Sequence, residues 1–169
     1  TIIPRGPAGG LTISLPEEDR MYQSRKELQE RICTCLGGRV AEQLCLGDIS
    51  TGASNDIQRA TAIARKMVAS YGMSEKLGTV SFESGHDEVF IGRTMSQGRS
   101  YSEAVAAQID EEVRRVVDEA YRRCESLLAE HRKQLDGVAQ YLLEHETMER
   151  DAFLSVVDGH AGTPTPPEV

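Results

Sequence analysis

Asp56 closes the run Thr51-Gly52-Ala53-Ser54-Asn55-Asp56, and it is the one carboxylate of this chain whose neighbours fix its position. From Ile57 the apolar residues fall at Ile57, Ala60, Ile63, Ala64, Met67, Val68 and Tyr71, the spacing of a helix with one buried stripe. Gly52 permits a turn, and Thr51, Ser54 and Asn55 each carry an oxygen suited to an N-cap. Asp56 is therefore expected in or near the first helical turn. The local alternative is a carboxylate that only complements the helix dipole, worth under about 1 kcal/mol.

The other metal-ligating residue types do not cluster. His86, His131, His145 and His160 are scattered, and no two have the i,i+4 spacing that puts a pair of imidazoles on one helical face. Each reads as a solvated loop or helix residue. Cys33 and Cys35 are two apart, which on a helix separates them by about 200°, so they cannot chelate one ion while the helix persists. Cys45 and Cys124 have no C-x-x-C partner, and all four are expected to be buried, reduced thiols.

The 169 residues suit one domain, and 39% hydrophobic residues supply enough core. A net charge of -8 disfavours nucleic acid and anionic lipid as direct ligands, since both reward clustered Lys and Arg. No G-x-x-x-x-G-K-[ST] phosphate loop is present, nor a run of about 18 apolar residues that could span a bilayer. The abrupt apolar opening at Thr1 reads as the start of a fragment.

The elements that must position Asp56 are mostly helices. Thr1 to Ile3 and Leu11 to Leu15 have strand character, with Gly9-Gly10 suited to a turn or bulge between them. Ser24 and Glu27 form a capping box that opens a helix with Leu28, Ile32, Cys35 and Leu36 on its stripe. Gly37-Gly38 then either ends that helix or marks close packing of another backbone. Val40, Ala41 and Leu44 continue the pattern and favour packing. Thr79 to Phe82 and Glu88 to Ile91 could pair as a hairpin, with a mobile loop as the alternative.

A second Ser-x-x-Glu box, Ser100 to Glu103, heads a long helix with Val105, Ile109, Val113, Val116, Ala120, Cys124, Leu127 and Leu128 on one face. Asp110, Glu111, Arg114, Arg115 and Asp118 read as its solvated side. One further helix uses Leu135, Val138, Ala139, Leu142 and Leu143, and a short last one uses Phe153, Leu154 and Val157. Residues 1–157 are taken as the domain and 158–169, with Thr-Pro-Thr-Pro-Pro, as a disordered tail.

Several runs share one family's order and spacing. They are Thr1-Ile-Ile-Pro-Arg-Gly6, Leu15-Pro-Glu-Glu-Asp-Arg20, Gly37-Gly-Arg-Val-Ala-Glu42, the Thr51 to Asp56 run, Tyr71-Gly-Met-Ser-Glu-Lys-Leu-Gly78, Glu88-Val-Phe-Ile-Gly-Arg93 and Ile109-Asp-Glu-Glu-Val-Arg114. Together they resemble the peptidase domain of the FtsH-type ATP-dependent zinc metalloproteases, from Thr1 to about Val157. The resemblance implies a mainly α, helical bundle-like metalloprotease domain with a small β region near the N-terminus. It also implies an intact protein that is a membrane-anchored hexamer. Such a protein cleaves unfolded and membrane-extracted polypeptides on the cytoplasmic side of a bacterial inner membrane, or the matrix or stroma side of an organelle membrane. Its membrane contact, and its use of ATP and Mg²⁺, would lie in segments outside this chain.

By the same resemblance Asp56 matches the family's third Zn²⁺ ligand. Glu42 matches a carboxylate close to the metal that would orient a ligating His, with a surface helical Glu as the alternative. Gly10, Leu11, Thr12, Ile13, Ser14 and Leu15 match the edge strand on which extended substrate pairs, with an ordinary core strand as the alternative. The family's H-E-x-x-H helix, which supplies two His ligands and the Glu that polarises the bound water, is absent from these 169 residues. The chain alone is accordingly expected to hold zinc poorly or not at all and to be inactive. The rival reading is a non-catalytic helical assembly module, and the residues encoded before Thr1 would separate the two.

Overall fold

Ser24 opens the first helix as a capping box requires. Its hydroxyl accepts from the Glu27 amide at 3.2 Å, and the Glu27 carboxylate accepts from the Ser24 amide at 2.6 Å. The structure, a computed structural model, describes residues 1–4, 22–82 and 101–158, and five helices lie in them. The fold is mainly α. By contact the chain forms two compact units, Met21–Leu127 and the combination of Thr1–Arg20 with Leu128–Val169.

In the larger unit α1 (Arg25–Leu46) runs unbroken through Gly37 and Gly38. The close packing expected at these glycines is not found, because among the described residues nothing lies within 4 Å of a Cβ built at either. Ile32, Leu36 and Val40, buried on both sides of the pair, carry the helix across it. Gly47, left-handed at φ 66°, ends α1 and turns the chain towards α2 (Ser54–Ala69).

The stripe of α2 buries Ala60, Ala64, Met67 and Val68 as its spacing requires, with Ile57 and Ile63 packed at the margin. Tyr71 does not join it. The helix stops at Ala69, the Tyr71 and Met73 amides turn back onto the Lys66 and Met67 carbonyls, and the Tyr71 ring is left 54% exposed. Gly72, at φ 61°, makes that reversal, and an added Cβ there would sit 2.9 Å from the Thr79 Cα.

Helix α3 (Glu103–Glu130) starts one residue after Ser102, whose hydroxyl accepts from the Val105 amide at 3.3 Å. The other end of the expected box, Ser100, lies outside the described residues. Ile109, Val113, Val116 and Ala120 close the core against Leu28, Ile32, Leu36, Ala60, Ala64, Met67 and Val68. Its polar side meets solvent as expected, and from it the exposed Asp110 pairs with Arg65 of α2 at 2.8 Å and the exposed Glu111 with Lys76 at 2.5 Å. Glu112 is buried outright, on the apolar face.

In the other unit, α4 (Arg132–His145) buries no residue and α5 (Arg150–Val157) buries only Ala152. The expected apolar stripes are present but largely uncovered, with Leu143 73%, Phe153 45% and Leu154 41% exposed. Contact between them is local, as where a Cβ at Gly137 would meet the Val156 side chain at 3.1 Å. Thr1 to Ile3 form no strand; the Thr1 hydroxyl and the Ile2 amide both donate to the Glu146 carbonyl. Residues 11–15 and 88–91 lie outside the described residues, as do 159–169 of the expected tail. Residues 79–82 are not paired as a strand, and the Phe82 amide donates to the Ala69 carbonyl at 2.7 Å.

Candidate metal-ligand site

Asp56 is the third residue of α2, within the first turn where the helix amides point outward. Its side chain is 47% exposed, and its charge neighbour is Arg59, 3.9 Å away on the same helix. The capping expected of Thr51, Ser54 and Asn55 does not occur. Ala53 occupies the N-cap with no side-chain hydrogen bond, and the Ile57 amide bonds the Ala53 carbonyl directly at 3.0 Å. The Ala53 side chain is buried, which fixes the entry of the chain into α2 by packing instead.

The loop before α2 is held from α1. Glu42 accepts from the Ser50 hydroxyl at 2.5 Å on one oxygen and from the Ser50 amide at 3.2 Å on the other. Ser50 Oγ in turn accepts from the Gly52 amide at 3.1 Å, and the Ser54 amide donates to the Thr51 carbonyl at 3.1 Å. The Ser50 hydroxyl, then the Ser50 amide, hold the Glu42 carboxyl below its ordinary range against burial, which raises it, and Arg39 adds to the lowering. Arg39 Nη1 lies 3.8 Å from Glu42 and has no hydrogen-bond partner among the described residues.

Cys35, half-buried on α1, lies near enough to α2 to feel Arg59 and Asp56, and burial pushes its thiol above the ordinary range. Cys124 is buried and its thiol is pushed up to about 12, by burial first and by Cys33 beside it. The expectation of four buried thiols holds for Cys124 alone, since Cys33 and Cys35 are half-buried and Cys45 lies exposed near the end of α1. None of the four forms a disulfide.

Among the described residues no three His, Cys, Asp or Glu side chains converge as a metal-binding group. What the site offers is a single anionic oxygen donor at a helix start, open to solvent, on a loop tied to a neighbouring helix. A carboxylate of that kind is chemically suited to one position of a Zn²⁺ site. The expected substrate strand, Gly10 to Leu15, lies outside the described residues. Sequence reasoning missed Ser50, whose partner Glu42 is eight residues away and on another element.

A family model described as peptidase family M41 matches residues 1–156. The ATP-dependent zinc metalloprotease FtsH 1 of Thermoanaerobacter sp. (strain X514) is 55% identical over 159 residues, covering 94% of this chain and 26% of that protein. The ATP-dependent zinc metalloprotease FtsH of Bacillus subtilis (strain 168) is 46% identical over 159 residues, 94% of this chain and 25% of its own length. That of Rubrobacter xylanophilus is 48% identical over 161 residues, 95% and 25%. The chain thus spans about a quarter of the length of these relatives. It belongs to peptidase family M41, as an FtsH-type peptidase domain fragment.

Proposed function

We propose that this chain is the peptidase portion of an ATP-dependent zinc metalloprotease, in which Asp56 gives Zn²⁺ its carboxylate ligand and Glu42 stands close by. The observation that carries the reading is Asp56 itself, a half-exposed carboxylate in the first turn of α2 whose loop is anchored to α1. When bound, Zn²⁺ supplies Lewis acidity and a bound water of lowered pKa, the means of peptide-bond hydrolysis. Asp56 contributes one anionic oxygen to that site. Two imidazoles and a general base have to come from residues outside these 169, which contain no H-E-x-x-H.

The substrates proposed are unfolded and membrane-extracted polypeptides, delivered by an ATPase outside this chain in a homohexamer at the cytoplasmic face of a bacterial membrane or its organelle equivalent. The sequence segment Gly10 to Leu15 is assigned to main-chain pairing with extended substrate, which tolerates many sequences because backbone bonds do not read side chains. No helix among the described residues is long and apolar enough to cross a membrane. A second reading, an assembly module without catalysis, draws on the exposed Leu143, Phe153 and Leu154.

Asp56→Asn in the full-length protein tests the first reading. Zinc content and proteolysis should fall together while ATP hydrolysis continues. Unaltered zinc stoichiometry and proteolysis would return Asp56 to a helix-start role.

A further inference from the structure

Helix α2 begins without a capping side chain, yet its first turn carries the residue on which the proposed zinc site depends. A polar relay holds the loop in front of it instead. It starts in the body of α1 at Glu42, passes through both donors of Ser50, and reaches the Gly52 amide through Ser50 Oγ. Two residues further on, the Ser54 amide closes on the Thr51 carbonyl, and α2 starts. From these contacts we infer that Ser50 is a positioning residue, which acts through the 50–54 turn to hold Asp56 where a metal ligand is needed.

Among the described residues, Ser50 is the side chain that bonds both α1 and the turn before α2. Its hydroxyl both donates to Glu42 and accepts from Gly52, so it couples the loop to α1 and the loop to itself in one group. Alanine at 50 would keep the backbone donor to Glu42 but release the Gly52 amide. Gly52 lies against the same clamp, since a Cβ added there would meet Ser50 Oγ at 3.2 Å and Glu42 Oε1 at 3.9 Å. Gly52→Ala therefore presses on the relay from the other side. Removing the groups that orient a ligand commonly costs about 10- to 100-fold in metal affinity, which sets the size of effect expected here.

This inference rests on Asp56 being a ligand, and its test separates the two. Full-length, zinc-loaded protein is made as wild type, Ser50→Ala, Ser50→Thr, Gly52→Ala and Asp56→Asn. Zinc release to a competing chelator, thermal unfolding and the KM and kcat of peptide hydrolysis are measured for each. Ser50→Ala should release zinc about 10- to 100-fold faster and lower kcat with KM little changed, and Ser50→Thr, which restores the hydroxyl, should recover both. Gly52→Ala should shift in the same direction as Ser50→Ala. If Asp56→Asn loses zinc while Ser50→Ala releases it at the wild-type rate, the positioning role is overturned and the ligand assignment stands. A Ser50→Ala protein that is only less heat-stable, with zinc release and kcat unchanged, overturns it equally. Zinc retained in Asp56→Asn overturns the ligand assignment first, and the role of Ser50 with it.

Discussion

The Ser74 hydroxyl donates to the Glu112 carboxylate at 2.6 Å, and both side chains are buried, joining the loop after α2 to the apolar face of α3 across 38 residues. Arg115 completes the pair, with Nε and Nη2 each 3.0 Å from a Glu112 oxygen, while Ser74 Oγ also accepts from the Leu77 amide. A buried carboxylate with all these donors is stable in place, and removing a donor leaves the buried charge short of a hydrogen bond, whereas Arg115 keeps Glu119 at 2.6 Å. Glu112→Ala should cost about 2–3 kcal/mol and Ser74→Ala about 1–2 kcal/mol, read from the shift in urea midpoint of the 169-residue chain.

The same pair sets an acid limit. Arg115, before Ser74, holds the Glu112 carboxyl below its ordinary value of 4.5, against burial, which raises it. Because the folded value lies under the unfolded one, the contribution is complete above about 4.5 and is lost as pH falls through the lowered native value. Unfolding free energy should therefore decline on acidification below that point, and Glu112→Gln should flatten the decline. An identical acid limb in wild type and Glu112→Gln would place the titrating group elsewhere.

Glu112 also marks where sequence reading stopped. In Asp110-Glu111-Glu112 one charge looks like another, and the apolar stripe of α3 predicts burial of its neighbours Ile109 and Val113 rather than of Glu112 itself. Its buried partner is Ser74, brought over by a turn with no local signature linking the two. The first turn of α1 and the stripe of α2 were legible because both depend on residues within four positions of each other. Asp56 was legible as a helix-start carboxylate, but its support was not: Thr51, Ser54 and Asn55 carried the familiar cap chemistry, while the loop is held by Ser50 and Glu42 through a tertiary contact.

Two glycines should respond in opposite senses to alanine. At Gly38, exposed within α1, nothing among the described residues meets an added Cβ, so Gly38→Ala should stabilise the chain by about 0.5–1 kcal/mol. At Gly72 the backbone is left-handed and the Thr79 Cα would be 2.9 Å away, so Gly72→Ala should destabilise by at least about 2 kcal/mol. Paired thermal or urea melts of the two variants decide it. A destabilising Gly38→Ala would reveal another backbone lying against α1, as the Gly-Gly sequence first suggested.

The uncovered stripes of α4 and α5 predict association. Leu143, Phe153 and Leu154 expose apolar surface that no described residue of the chain covers, though without an ATPase ring to reinforce it the contact should be weak. Light scattering at rising concentration should show a shift from monomer to oligomer, and Leu143→Lys should move that shift to higher concentration. A strict monomer at high concentration would count against a self-sufficient peptidase ring.

Zinc binding by the chain alone is the remaining test of how Asp56 works. One carboxylate cannot hold Zn²⁺ at the affinity of a structured site, because the favourable exchange of bound water for protein ligands needs several donors fixed together. His86, His131, His145 and His160 include no i,i+4 pair to supply them, and no cluster of donors appears among the described residues. After chelation, zinc loading and dialysis, the 169-residue chain should retain well under one zinc per chain and cleave no peptide. A version extended upstream through an H-E-x-x-H helix should retain one, and lose it on Asp56→Asn. Stoichiometric zinc in the short chain, surviving Asp56→Asn, would show a donor set that excludes Asp56.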